Sequence, residues 1–131
     1  MELFERAFEE YMSNYDMNVK QIRYKYHHSY KVEDLMEKLS KRLNLNDEET
    51  YIAKLIGLLH DIGRFDELKT IKRFDSLKFD HAMFASKLLF EEGFITKFVD
   101  TDKYNNIIKK AIENHNKMQI EDSRITTHAI K

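Results

Sequence analysis

Apolar residues recur at steps of three and four along most of the chain, and this spacing predicts helices. In residues 1–15 the stripe is Leu3, Phe4, Ala7, Phe8, Tyr11 and Met12. Tyr15-Asp16-Met17-Asn18 reads as a break. A long helix is expected from about Val19 to Leu43, with Ile22, His28, Val32, Leu35, Leu39 and Leu43 turned inward. His27 shares its stripe with Lys31 and Asp34 and is expected to face water. Asn44-Leu45-Asn46 ends this helix, and Asn46 followed by Glu49 suits a reciprocal N-terminal cap for the next. The third helix carries Ile52, Ala53, Leu55, Ile56, Leu58, Leu59 and Ile62. Being apolar on most sides, it is expected at the centre of a helical bundle. Gly63 is placed to close it in the left-handed conformation.

Residues 64–79 are more irregular and basic, with Arg64, Lys69, Lys72, Arg73 and Lys78, and a short helical turn around Asp66–Lys72. Asp80 can cap a helix over residues 81–92, with His81, Phe84, Ala85 and Leu88 inward and Gly93 as its end. Phe94–Val99 reads as a short apolar connector. A further helix from about Lys103 carries Ile107, Ile108, Ala111, Ile112 and His115, and Gln119–Lys131 is polar. No segment combines alternation with hairpin turn chemistry. The expected fold is all-α, a bundle of five to six helices, in a single domain over residues 1–131.

Composition narrows the chemistry. With no cysteine, thiolate metal sites, disulfides and a cysteine nucleophile are excluded. The absence of proline and the presence of three glycines favour long helices. A net charge of -1 argues against broad nucleic-acid binding. No apolar run reaches the roughly 20 residues of a membrane span, and the acidic N-terminus lacks the basic flank of a signal peptide. A cytoplasmic protein is expected.

One polar feature breaks the apolar pattern. His28, His60, His81 and His115 each fall on the apolar face of their own helix, and Asp61 follows His60 directly. One inward histidine alone reads as a satisfied core residue. Several, with a carboxylate, call for a common partner, and a metal ion is the simplest. Neutral imidazole suits Zn, Fe, Co, Ni and Mn, while a carboxylate can bridge two ions. Arg64 offers either a phosphate contact or a salt bridge to an acid such as Asp66 or Glu67. Lys72 and Arg73 could rim an anionic substrate site or belong to a solvated basic loop. Tyr24, Lys25, Tyr26 and Tyr30 mix bases with aromatics, which on a helix reads as packing on one face and lysines on the other.

The stretches His28-Ser29-Tyr30-Lys31-Val32, Leu58-Leu59-His60-Asp61-Ile62-Gly63-Arg64-Phe65, Asp80-His81-Ala82 and Ala111-Ile112-Glu113-Asn114-His115-Asn116 occur in order. With them the chain, from about Tyr24 onward, resembles the HD-domain superfamily of metal-dependent phosphohydrolases. The resemblance implies a divalent metal centre of one or two ions (Fe, Mn, Ni, Co or Zn, with Mg also admitted). Asp61 would bridge, His28 and His60 would hold one ion, and His81 and His115 the other. It implies hydrolysis of a nucleotide or other small phosphorylated metabolite by metal-bound hydroxide, with Arg64 neutralising phosphoryl charge.

The family's last ligand, an Asp in a later helix, has no counterpart before Lys131. The domain is therefore expected to lack its C-terminal helices, and a homodimer would cover the side left exposed. Two rival readings stand beside hydrolysis. One is a di-iron oxygenase with the same ligand set. The other is a non-catalytic module binding metal or nucleotide.

Overall fold

The computed structural model describes residues 2–72 and 80–114, and these are helical with no strand. Helix α1 is Leu3–Met12, α2 Lys20–Arg42, α3 Asp47–Leu59, α4 Gly63–Ile71 and α5 His81–Ser86. A π-helical stretch, Lys87–Glu91, continues α5; α6 is Ile95–Phe98, and α7 covers residues 105–114. No described helix is long and apolar enough to cross a membrane. Arg73, Lys78, His115 and His128 lie outside the described residues.

Local chemistry accounts for the helix starts. In α1 the Glu2 N–H donates to Glu5 Oε1 at 2.9 Å. In α3 the exchange is reciprocal. Glu49 N–H donates to Asn46 Oδ1 at 2.8 Å and Asn46 N–H to Glu49 Oε1 at 3.0 Å. Asp80 Oδ1 accepts from Met83 N–H at 3.1 Å and starts α5. Gly93 ends that run with φ of +82°, a conformation glycine adopts freely.

The core gathers Phe4 and Phe8 of α1, Leu55, Leu58 and Leu59 of α3, Phe65 of α4, Leu89 of the π stretch, and Ile108 and Ile112 of α7. Helix α3 is central, as its apolar pattern predicts, and α2 lies along it.

The structure corrects the expected inner face of α2. Leu35 and Leu43 are 53% and 61% exposed, whereas Ser29, Glu33 and Ser40 are buried. The face of α2 against α3 is set by a close approach at Gly57. A Cβ at Gly57 would sit 2.9 Å from Met36 Cγ, 3.2 Å from the Val32 carbonyl and 3.3 Å from Glu33 Cα. A side chain at position 57 would force Met36 and the α2 backbone to shift. The buried hydroxyls are satisfied within α2, Ser29 donating to the Lys25 carbonyl at 2.9 Å and Ser40 to the Met36 carbonyl at 2.8 Å.

A second correction concerns Gly63. It is not a left-handed cap, since the positive-φ residues described are Asn44, Lys72 and Gly93. Helix α3 ends at Leu59, and the chain turns through His60-Asp61-Ile62 straight into α4, which Gly63 opens. Glycine is needed there for space. A Cβ on Gly63 would fall 2.1 Å from the His81 carbonyl oxygen. Segment 63–71 is thus a full helix where only a short turn was expected, and Lys72 closes it with φ of 63°.

Candidate metal centre

The corner between α3 and α4 carries His60 and Asp61, and the close contact at Gly63 sets the start of α5, with His81, against it. Helix α2 brings His28 from the other side. Around the buried Asp61, His60 Nε2 lies 3.3 Å and His28 Nε2 3.9 Å from Oδ2. His81 Nε2 lies 3.9 Å from the other oxygen, Oδ1. One ligand atom each of His28, His60 and Asp61 falls within a single span of 4.8 Å. His27, one residue from His28, is exposed.

The imidazoles present themselves as ligands. His60 Nδ1 lies 2.6 Å from the Gly57 carbonyl. A carbonyl only accepts, so Nδ1 carries the proton and Nε2 is left with its lone pair toward Asp61. Gly57 therefore has two roles, orienting His60 and admitting α2. Tyr24 stacks on His28, with ring centroids 6.1 Å apart and planes 10° from parallel. Burial lowers the His28 pKa from its ordinary value, and the neighbouring Lys25 and His60 lower it further. Neutral imidazole, the metal-binding form, is favoured.

This donor set fits a divalent ion. Nitrogen and oxygen ligands held about 2.0–2.2 Å from one ion lie roughly 3–4 Å from each other, the range in which the atoms facing Asp61 Oδ2 are found.

The remaining site candidates divide. Arg64, in the first turn of α4, donates from Nη1 to Glu67 Oε1 at 2.8 Å, one of the two roles its position suggested. Glu67 is fully buried, so Arg64 is the cation against an interior carboxylate. Lys72 is exposed at the end of α4. Arg73 and His115 lie outside the described residues.

Two charged groups, one at the centre and one in the core, escape a reading of apolar patterns. Lys25 Nζ donates to Asp61 Oδ2 at 2.8 Å. Its signal was its place one helical turn before His28, which puts both on one face. Glu67 lies four residues beyond Gly63, and nothing in the pattern marks an acid there as interior.

Fold and cluster together define an all-α domain with a histidine–aspartate site able to hold a divalent ion. A family model, HD domain, matches residues 26–130, and the chain belongs to this family. HD domains typically bind divalent metals, and membership indicates the metal-dependent hydrolase superfamily. Searches of curated proteins and of solved structures found no match.

Proposed function

We propose that the protein is a metal-dependent phosphohydrolase acting on a nucleotide or another small phosphorylated metabolite. The observation that carries this reading is the placement of imidazoles against both oxygens of Asp61, His28 and His60 at one and His81 at the other. A carboxylate addressed from both sides can bridge two ions.

His28, His60 and Asp61 would hold one divalent ion, and Asp61, His81 and His115 a second. Fe, Mn, Ni, Co and Zn match these donors, and Mg is the hard-cation alternative. A bound divalent ion supplies Lewis acidity toward a phosphoryl oxygen and lowers the pKa of water toward neutrality. The chain's own contribution is to hold the donors in register. Gly57 fixes the His60 tautomer, Tyr24 backs His28, and Gly63 admits His81 beside Asp61. Arg64 would steady negative charge on the substrate, with Lys72 and Arg73 at the rim.

The test is metal analysis of the purified protein beside a screen of phosphomonoesters, phosphodiesters and nucleotides. Mn, Co, Ni, Fe and Mg are supplied in turn. Hydrolysis is expected with at least one metal. A protein that holds metal yet hydrolyses none of these substrates would remove the hydrolase reading. Oxygen consumption by an iron-loaded sample would replace it with oxygenase chemistry.

A further inference from the structure

Lys25 competes for the oxygen that the metal centre needs. Its Nζ is 2.8 Å from Asp61 Oδ2, the oxygen that also faces His60 Nε2 at 3.3 Å and His28 Nε2 at 3.9 Å. The ammonium is therefore inside the same small group of atoms, not beside it. The lysine side chain is 17% exposed and that of Asp61 6%, so solvent screens the pair poorly. Like charges a few ångströms apart in such a site repel by far more than thermal energy. An ion held by His28, His60 and Asp61 excludes an ammonium from Asp61 Oδ2.

We propose that Lys25 is a tethered competitor for the metal site. Its ammonium holds Asp61 in the metal-free protein and leaves that oxygen when a divalent ion is bound. The inference rests on the metal-centre reading above and adds a determinant of its affinity. Without metal, Lys25 supplies the positive charge a buried carboxylate requires. With metal, that charge is redundant and repelled. The lysine stem is long and freely rotating, so the ammonium can withdraw from Asp61 while its backbone stays in α2. Affinity for the ion is then the intrinsic affinity of the ligands reduced by the strength of the Lys25–Asp61 contact.

A purely structural ion pair makes the opposite forecast. Removing Lys25 would leave Asp61 buried and uncompensated, loosen the corner and weaken metal binding. The sign of the change therefore separates the two.

The experiment measures Mn(II) and Ni(II) binding by equilibrium dialysis and calorimetry for the wild-type chain, Lys25→Met, Lys25→Arg and Asp61→Asn. Lys25→Met is expected to bind about 10-fold tighter or more, since a competing charge is gone from a weakly screened site. Lys25→Arg keeps a cation and stays near wild-type affinity, while Asp61→Asn loses most binding. A second readout is thermal. Metal-free Lys25→Met melts below wild type, and saturating Mn(II) closes that gap. Equal or weaker binding by Lys25→Met, beside measurable binding by wild type, overturns the competitor role and leaves the metal centre standing. No binding by wild type or Lys25→Met overturns both. If Lys25→Met does not fold, Lys25→Gln is measured in its place with the same expected sign.

Discussion

Asp61 and Glu33 are both buried carboxylates, 4% and 7% exposed, and the fold treats them in opposite ways. Asp61 is ringed by Lys25, His28, His60 and His81. Glu33, on α2, faces acids. Burial comes first and the hydrogen bond with Glu5 second in pushing its pKa up to about 8, with Glu37 adding to the rise and Lys54 opposing it. Lys54 is itself engaged with Glu37 at 3.5 Å. One carboxyl is surrounded by groups that favour its charge, and the other by groups that favour its proton. Burial alone does not make a functional acid; the sign of what surrounds it decides. Glu67 is a third case, sealed in the core with Arg64 as its partner.

The largest effect that would break this comparison is at Asp61. Asp61→Ala should remove metal binding and hydrolysis together, and deprive Lys25 and the three imidazoles of their common carboxylate. The metal-free protein should lose about 2–3 kcal/mol, somewhat below the cost of halving a fully buried pair. Metal analysis, an activity assay and urea unfolding report the three effects. Full metal content in this variant would sink the ligand assignment.

Gly63→Ala should rank next. Its Cβ would meet the His81 carbonyl at 2.1 Å, so backbone must move. A loss of about 3 kcal/mol is expected from such overpacking, with reduced metal affinity because His81 shifts away from Asp61. A stable variant with unchanged metal binding would show that α5 is positioned by other contacts.

Arg64→Ala leaves Glu67 buried without its guanidinium and should destabilise by about 2 kcal/mol. If Arg64 also steadies substrate charge, turnover per folded molecule falls while metal content holds. Unchanged turnover in the folded fraction would confine Arg64 to its pairing with Glu67.

Glu33 gives a pH-dependent change with the clearest sign. Its folded pKa is raised, so between pH 4.5 and about 8 the folded state keeps a proton that the unfolded state releases. Stability from this group is fully present below pH 4.5, falls as pH rises toward 8 and levels off above it. Glu33→Gln mimics the protonated form. It should flatten that part of the melting-temperature profile and melt above wild type at pH 8.5. Parallel profiles for the two proteins would show that Glu33 is charged in the fold.

Much of this was readable from the chain. The three-and-four spacing marked the helices, and Asn46 with Glu49 and Asp80 marked two of their starts. Four of the expected ligands, His28, His60, Asp61 and His81, come together in space. They were legible because a polar group on an apolar stripe is conspicuous. What escaped has a common cause. Gly57 of α3 meets Val32, Glu33 and Met36 of α2, and Ser29 and Ser40 are buried on that helix, so a search for large apolar residues passes over much of its inner face. It therefore assigned Leu35 and Leu43 to the inside. Gly63 was read through backbone conformation, whereas its purpose is steric and involves a residue eighteen positions later. Lys25 was assigned to the face opposite the packing aromatics, because spacing gives the direction of a helix face but not where a long side chain ends.

The π-helical stretch Lys87–Glu91 has a consequence for how this chain can change over generations. Such a stretch behaves as a single-residue insertion in an α-helix. Upstream of it His81 addresses Asp61, and within it Leu88 and Leu89 both enter the core. Deleting one residue there would restore regular α winding and leave the two flanks in nearly the same rotation, because one π turn fits an extra residue into about the same turn and rise. His81 would keep its place against Asp61, and the change would fall on the packing of Leu88 and Leu89. In this helix a one-residue change of length is absorbed locally, in the core layer behind the site, and is not passed on to the site itself.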